Sequence, residues 1–295
     1  PQHTNIIRVA LNGVKTELAA EAVVQGAANP RSVCIHGNLL LIATTVDMFA
    51  PPKPLPLPGW RFPAPPIIIP VIKEFTNLYI MNASNLLPTH VIREVAKGPA
   101  TLLTCIGNYA LIKAGWGKGT LIEVDLRNPK KPVEVKGFQG PTRITSALSV
   151  MSDYVVFAGL TQPPWFLGKP VVKMYKVSTS GALTLVSEAN LTSGISEAFT
   201  STLKYVREGS NAYLLTTTQG FGKGGRHWEL TAMSISTEGL EQILTVTTPT
   251  QPEPLIKGNT LYVATQTHIE AYSLETGQKL SKTEIPQAPA SAHQT

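Results

Sequence analysis

One short phrase is written five times along this chain. Cys34-Ile-His-Gly-Asn-Leu-Leu-Leu-Ile-Ala-Thr44 returns as Cys105-Ile-Gly-Asn-Tyr-Ala-Leu-Ile-Lys-Ala-Gly115 and as Val150-Met-Ser-Asp-Tyr-Val-Val-Phe-Ala-Gly159. It returns again as Val206-Arg-Glu-Gly-Ser-Asn-Ala-Tyr-Leu-Leu-Thr216 and as Leu255-Ile-Lys-Gly-Asn-Thr-Leu-Tyr-Val-Ala-Thr265. In each copy an apolar run meets a turn of Gly, Asn, Asp or Ser, and a second apolar run follows at once. Those turn residues reach the backbone conformations that join two twisted strands, so the phrase reads as a tight β-hairpin. A fixed internal period of this kind constrains a fold more than any local propensity.

Each phrase is followed by a second pair of strand-like runs. They are Leu78–Asn82 with His90–Val95, Thr120–Leu126 with Pro132–Lys136, and Val171–Val177 with Ala182–Ala189. Glu229–Ile235 with Leu240–Thr247 and Thr267–Leu274 with Lys279–Ile285 complete the set. Five four-stranded units therefore tile residues 30–285, and Ala19–Val24 is the one short run that is ambiguous for helix. Four strands at this spacing make a β-propeller blade; a sandwich or closed barrel would not repeat one hairpin phrase five times. The expectation is all-β: a propeller of four-stranded blades, six in number, with five or seven as alternatives. Residues 1–285 form one propeller domain, and 286–295 are a Pro/Ala-rich tail. The sixth blade is incomplete: Asn5–Ala10 and Val14–Ala20, joined through Asn12-Gly13, read as a single hairpin within residues 5–20.

Thr120-Leu-Ile-Glu-Val-Asp-Leu-Arg-Asn-Pro-Lys-Lys-Pro-Val-Glu-Val-Lys136 carries a further signature, and Leu78-Tyr-Ile-Met-Asn-Ala-Ser-Asn-Leu-Leu-Pro88 is a looser copy. The pattern resembles the LVIVD repeat of bacterial and archaeal surface propellers, over about two blades in residue type and elsewhere in spacing. The resemblance implies a propeller and an extracellular or cell-surface setting, and no fixed chemistry. Composition agrees with a folded domain: charged residues are 15% of the 295, below the roughly 25% of an average soluble domain, which excludes disorder driven by charge. The longest apolar stretch, near Pro65–Ile72, is shorter than the ~20 residues of a membrane-spanning helix.

In an antiparallel meander all second-to-third-strand loops emerge on one side of the blades. Here those loops are the irregular part of the chain: Met48–Ile72 with nine prolines, Gly115–Gly119, Gln162–Lys169 and Gln219–Trp228. They hold or border all four tryptophans, Trp60, Trp116, Trp165 and Trp228, together with Phe166 and Phe221. They also carry Lys53, Arg61, Lys118, Lys169, Lys223 and Arg226 with no Asp or Glu, six charges that equal the whole formal net charge of +6. The bland reading has the indoles capping the blades with solvated cations around them. The sharper reading is a partner-binding face made by Trp60, Arg61, Trp116, Lys118, Trp165, Phe166, Lys169, Phe221, Lys223, Arg226, His227 and Trp228, since Trp and Arg concentrate at interface hot spots. Six dispersed charges make a weak footprint for nucleic acid, which is not expected as a partner. An acidic glycan suits stacked aromatics. The apolar Pro-rich arm, with Leu55, Leu57, Trp60 and Phe62, favours a protein partner or neighbouring subunits, because it offers area that a sugar would not need.

Catalytic constellations are sparse. The six histidines are scattered, and none pairs with another or with Cys at metal-ligand spacing, so no metal and no cofactor is expected. Gly115–Thr120 and Gly220–Gly225 lack the Gly-Lys-Ser/Thr of a phosphate loop and join strands. His227, near Glu229, is the one acid–base candidate; the alternative to a recognition subunit is a glycan-binding propeller, or a hydrolase or lyase working in a central funnel. Cys34 and Cys105 differ by one position relative to the turn Asn. Period-two alternation then points them to different faces, which predicts free buried thiols.

Overall fold

The computed structural model describes residues 3–12, 15–28, 30–54, 68–116, 119–161, 168–191, 195–222 and 225–285. Among these residues all regular structure is β, apart from one turn of 3-10 helix at Pro30–Ser32. The order begins with a hairpin, β1 (His3–Asn12) and β2 (Lys15–Gln25). Five four-stranded sheets follow. The first is β3 (Val33–His36), β4 (Leu39–Pro54), β5 (Ile68–Asn82) and β6 (Pro88–Lys97); the second is β7 (Ala100–Ile106), β8 (Tyr109–Ala114), β9 (Thr120–Asp125) and β10 (Val133–Glu134). The third is β11 (Arg143–Val150), β12 (Tyr154–Thr161), β13 (Lys169–Val177) and β14 (Leu183–Asn190); the fourth is β15 (Ile195–Glu208), β16 (Asn211–Gly222), β17 (Gly225–Ser236) and β18 (Gly239–Thr248). The fifth is β19 (Glu253–Lys257), β20 (Thr260–Ala264), β21 (His268–Ser273) and β22 (Lys279–Glu284). Every sheet is an antiparallel meander whose spatial order is its chain order. The chain is thus a β-propeller with six blades along its length, one of them a two-stranded hairpin. The described residues fall into two compact units, 1–138 and 139–295.

The repeated phrase is the first hairpin of each blade. Its turns place Gly37, Gly107, Gly209 and Gly258 at φ between 53° and 61°, and Met151 takes the same conformation at φ 55°. That left-handed conformation costs a residue with a Cβ more than it costs glycine, so four of five copies keep the glycine. The N-terminal hairpin turns one residue later than the sequence indicates: Asn12 pairs with Lys15, and the turn itself lies outside the described residues. Ala19–Val24 falls within β2 and is strand.

Between blades the core is made by alternate residues of facing sheets. Leu41, Ala43, Leu78 and Ile80 of the first blade meet Leu103, Ala110, Ile112, Ile122 and Val124 of the second. In the second unit Val156, Val172 and Met174 meet Leu214 and Met233, and the other face of that same blade meets the fifth sheet through Leu215, Leu230, Leu261 and Val263. Each such aliphatic burial contributes about 1.5–3 kcal/mol.

Cys34 and Cys105 are joined in a disulfide, with Cα atoms 6.2 Å apart, which corrects the expectation of free thiols. Alternation does send the two side chains to opposite faces of their own sheets. Adjacent blades pack face to face, however, so residues must point opposite ways to meet. Cys34 lies across from Leu41 and Cys105 across from Ala110, on the two faces that form this inter-blade core.

Candidate functional site

The second-to-third-strand connections are less loop-like than the sequence implies. The Pro-rich insertion begins and ends as ladder, with Met48 paired to Lys73 and Pro54 to Ile68. The stretch from Gln219 to Trp228 is almost wholly hairpin: Gln219 pairs with Trp228, Gly220 with His227, Phe221 with Arg226 and Gly222 with Gly225. These side chains are therefore ordered by a strand ladder, and their directions follow from the period-two rule.

That rule divides the expected surface. Phe221, Arg226 and Trp228 share one face of the β16–β17 ladder, and His227 points to the other. Phe221 is 41% exposed and meets Phe199 edge-to-face at 4.9 Å between ring centroids. The Arg226 guanidinium sits 5.8 Å from the centre of the Phe199 ring, a cation–π arrangement. Phe199 was not legible as a site residue; it stands at a bulge of β15, where Ala198 pairs with Gly220 and Thr200 with Gln219. Lys169 is exposed beside this cluster, because Ala198 N–H donates to the Gly168 carbonyl at 2.8 Å and bridges β15 to the start of β13. The structure thus brings Lys169, Phe221, Arg226 and Trp228 to one aromatic and basic edge of the second unit.

Trp116, in the first unit, is 74% exposed, so it is no blade cap; its indole N–H donates to the Glu74 carboxylate at 3.3 Å. Glu74 beside Trp116 and Glu197 across from Phe221 bring carboxylates from the strands to these aromatic side chains. Sequence reasoning restricted to the loops missed them. Trp60, Arg61, Lys118, Trp165, Phe166 and Lys223 lie outside the described residues.

Two buried charges were not singled out from the sequence. Lys113 on β8 is 2% exposed, and its ammonium donates to the carbonyls of Gly115 at 2.9 Å and Ala114 at 3.3 Å. Burial pushes it down to about 8. Glu229 is 1% exposed, with its Oε1 3.5 Å from His227 Nε2, so the acid–base candidate of the sequence does acquire its carboxylate. Both atoms are buried, and among the described residues neither has a hydrogen-bond partner. Among the described residues no three His, Cys, Asp or Glu side chains gather as a metal cluster, and no helix is long and apolar enough to cross a membrane.

No protein-family model matches the sequence, and no curated protein is similar to it. Among solved structures the chain is similar to the N-terminal domain of Nup159, with a TM-score of 0.39, 10% identity, and coverage of 88% of this chain and 65% of that one. It is also similar to a eukaryotic initiation factor, with a TM-score of 0.51, 12% identity, and coverage of 95% and 62%. The chain spans less than two thirds of the length of either structure. At 12% identity the second likeness concerns the fold alone. A fold shared at this distance carries no function with it, and the chemistry has to be read from this chain's own side chains.

Proposed function

We propose that this chain is a non-catalytic β-propeller recognition or assembly subunit that binds a protein partner through the aromatic and basic edge of its fourth sheet. The observation that carries this reading is the Phe199–Phe221–Arg226 stack, held on a paired ladder with Phe221 left 41% open. A rigid aromatic anchor beside a guanidinium loses little side-chain entropy on binding and suits an acidic patch on the partner. Trp228 and Lys169 extend the same edge. The neighbouring Glu197 selects against a uniformly acidic partner surface and favours one with a basic group in register.

The setting we propose is extracytoplasmic. The Cys34–Cys105 disulfide supports it, since such bonds persist in oxidising compartments, and so does the likeness of Thr120–Lys136 to LVIVD repeats. A second reading, an acidic glycan as ligand, is favoured by Trp116 alone, whose open ring could stack on a sugar. Pull-down from the extracellular fraction of the source cells, comparing wild type with a Phe221→Ala, Arg226→Ala double variant, tests the protein reading. Partners retained by wild type should be lost by the double variant. Equal capture by both proteins would remove this edge from consideration, and a glycan-array signal abolished by Trp116→Ala would favour the second reading.

A further inference from the structure

A groove of about 670 Å³ runs between the fourth and fifth sheets of the second unit, within the roughly 300–1,000 Å³ of small-molecule sites. It lies at the other end of the strands from the aromatic edge. Tyr213 stands near the start of β16 and Phe221 near its end, about 27 Å apart along a strand that rises about 3.4 Å per residue.

The wall supplied by the fourth sheet is a row across three strands. Tyr213 of β16 pairs with Ser234 of β17, and Ser234 pairs with Glu241 of β18, so the three side chains point to one face. The same face carries Leu215, Ala232 and Leu244 into the core against the fifth sheet. Glu241 shares it with Leu244 because the β18 bulge at Ile243 takes up one residue. The fifth sheet supplies the other wall from its turns, with Asn259 and Glu275. Two contacts fix the walls. Asn211 Nδ2 donates to Asn259 Oδ1 at 3.3 Å. The Gly277 turn, at φ +69°, lies so close to β18 that a Cβ there would stand 2.9 Å from the Ile243 carbonyl oxygen.

The polar groups on these walls lack partners. Tyr213 is 6% exposed, and among the described residues its hydroxyl has no hydrogen-bond partner, although a buried tyrosine hydroxyl ordinarily finds one. The Ser234 hydroxyl and the carboxylates of Glu241 and Glu275 are likewise unpartnered among the described residues. No Lys, Arg or His lines the groove, in a chain whose formal net charge is +6. Carboxylates only accept hydrogen bonds, so the missing partner is a donor, and negative charge on both walls favours a positive one. Ile243 and Leu274 add apolar surface between the walls, which suits methylene groups linking the charges.

We infer that this groove is a binding site for an alkylammonium ligand, a methylene chain carrying at least two ammonium groups. Glu241 and Glu275 hold the charges, and the Tyr213 and Ser234 hydroxyls accept further N–H bonds. A linear polyamine and closely spaced lysine side chains of a partner present this same chemistry. The site stands apart from the aromatic edge and does not depend on it.

The test is calorimetric titration of the untagged full chain with spermidine at low ionic strength, with a capped Lys-Gly-Lys peptide as the second arm. A chain of net charge +6 repels polycations in general, so binding of either probe reports a local site. Wild type should bind one equivalent. Both glutamates are exposed, so Glu241→Gln and Glu275→Gln should fold normally, and each should weaken binding roughly fivefold, as for one exposed ion pair. The Phe221→Ala, Arg226→Ala double variant should titrate like wild type, which separates failure of the aromatic edge from failure of this groove. Tighter binding of spermidine supports a free polyamine, and tighter binding of the peptide supports lysines of a partner. Absence of binding of both probes by wild type, a measurement that needs no variant to fold, overturns the proposal. So does an affinity unchanged in both Glu241→Gln and Glu275→Gln, or titration by maltotriose in place of the amines.

Discussion

The two units of this molecule build the same blades and secure them by different means. In residues 1–138 the inner strands β3 and β7 are joined covalently, and the buried ammonium of Lys113 is caged by backbone carbonyls. Residues 139–295 contain no cysteine. There, side-chain hydrogen bonds cross between sheets: the Thr145 hydroxyl donates to the Ser201 carbonyl at 2.8 Å, and Ser201 bonds Thr218 in turn. Charge is met by side chains too, as at Glu270 beside Lys279. The first unit has such bonds as well, with Ala100 N–H donating to the Thr45 hydroxyl at 3.0 Å and the Thr44 hydroxyl to the Gln25 carbonyl at 2.8 Å; what it adds is a covalent restriction of its unfolded ensemble. The difference shows that blade architecture is set by the hairpin repeat and its apolar alternation, while what is added at each inter-blade seam is local and replaceable.

The largest effect that would sharpen this contrast comes from the disulfide. It closes a loop spanning 71 residues, for which chain entropy gives a stabilisation of about 4 kcal/mol. A Cys34→Ser, Cys105→Ser variant should lose about that much, and hydrogen exchange should locate the loss. Amides of β7 and β8 should exchange faster while those of β16 and β17 are little changed. Equal acceleration in both units would break the comparison, because the staple would then secure the whole chain.

Next is the lysine cage. Gly119 has φ +48°, and a Cβ there would run into Lys113 Nζ and the carbonyl oxygens of Ala114 and Gly115, so Gly119→Ala should cost about 2–3 kcal/mol. The charge itself has a pH signature. The Lys113 pKa is about 8 when folded, against 10.5 ordinarily. Between those values the unfolded chain binds the extra proton, so stability should rise as pH increases from about 8 towards 10, by on the order of 2–3 kcal/mol at most. Denaturant midpoints of wild type and Lys113→Met across that range should converge as pH rises. A constant gap between them would mean that the carbonyls already compensate the ammonium in full.

How much of this was legible before the structure depends on whether the information is periodic. The five hairpins were, because turn glycines and alternating apolar residues recur at fixed offsets. The disulfide was not: the register of Cys34 and Cys105 was read correctly, but alternation describes one sheet and the bond belongs to two. The site was half legible. The composition of the loops picked out Phe221, Arg226 and Trp228, yet it could not find Phe199, which a bulge turns toward them, or Glu74 and Glu197, which other strands supply. Lys113 looked like an ordinary strand residue in Ala110-Leu-Ile-Lys-Ala114, since nothing local announces a carbonyl cage.

The smallest effect separates Glu229 from Glu270. Removing the charge of Glu270 leaves Lys279 and Lys282 facing a neutral amide and gives the Tyr272 hydroxyl a weaker acceptor. Because both lysines are nearly half exposed, water recovers much of that loss, and Glu270→Gln should cost only about 1 kcal/mol. Glu229→Gln removes a buried charge that, among the described residues, only His227 compensates, so its cost should be close to zero or of the opposite sign. If instead Glu229→Gln is the more destabilising of the two, the His227–Glu229 contact is a strong ion pair, and the two seams of the second unit are built alike.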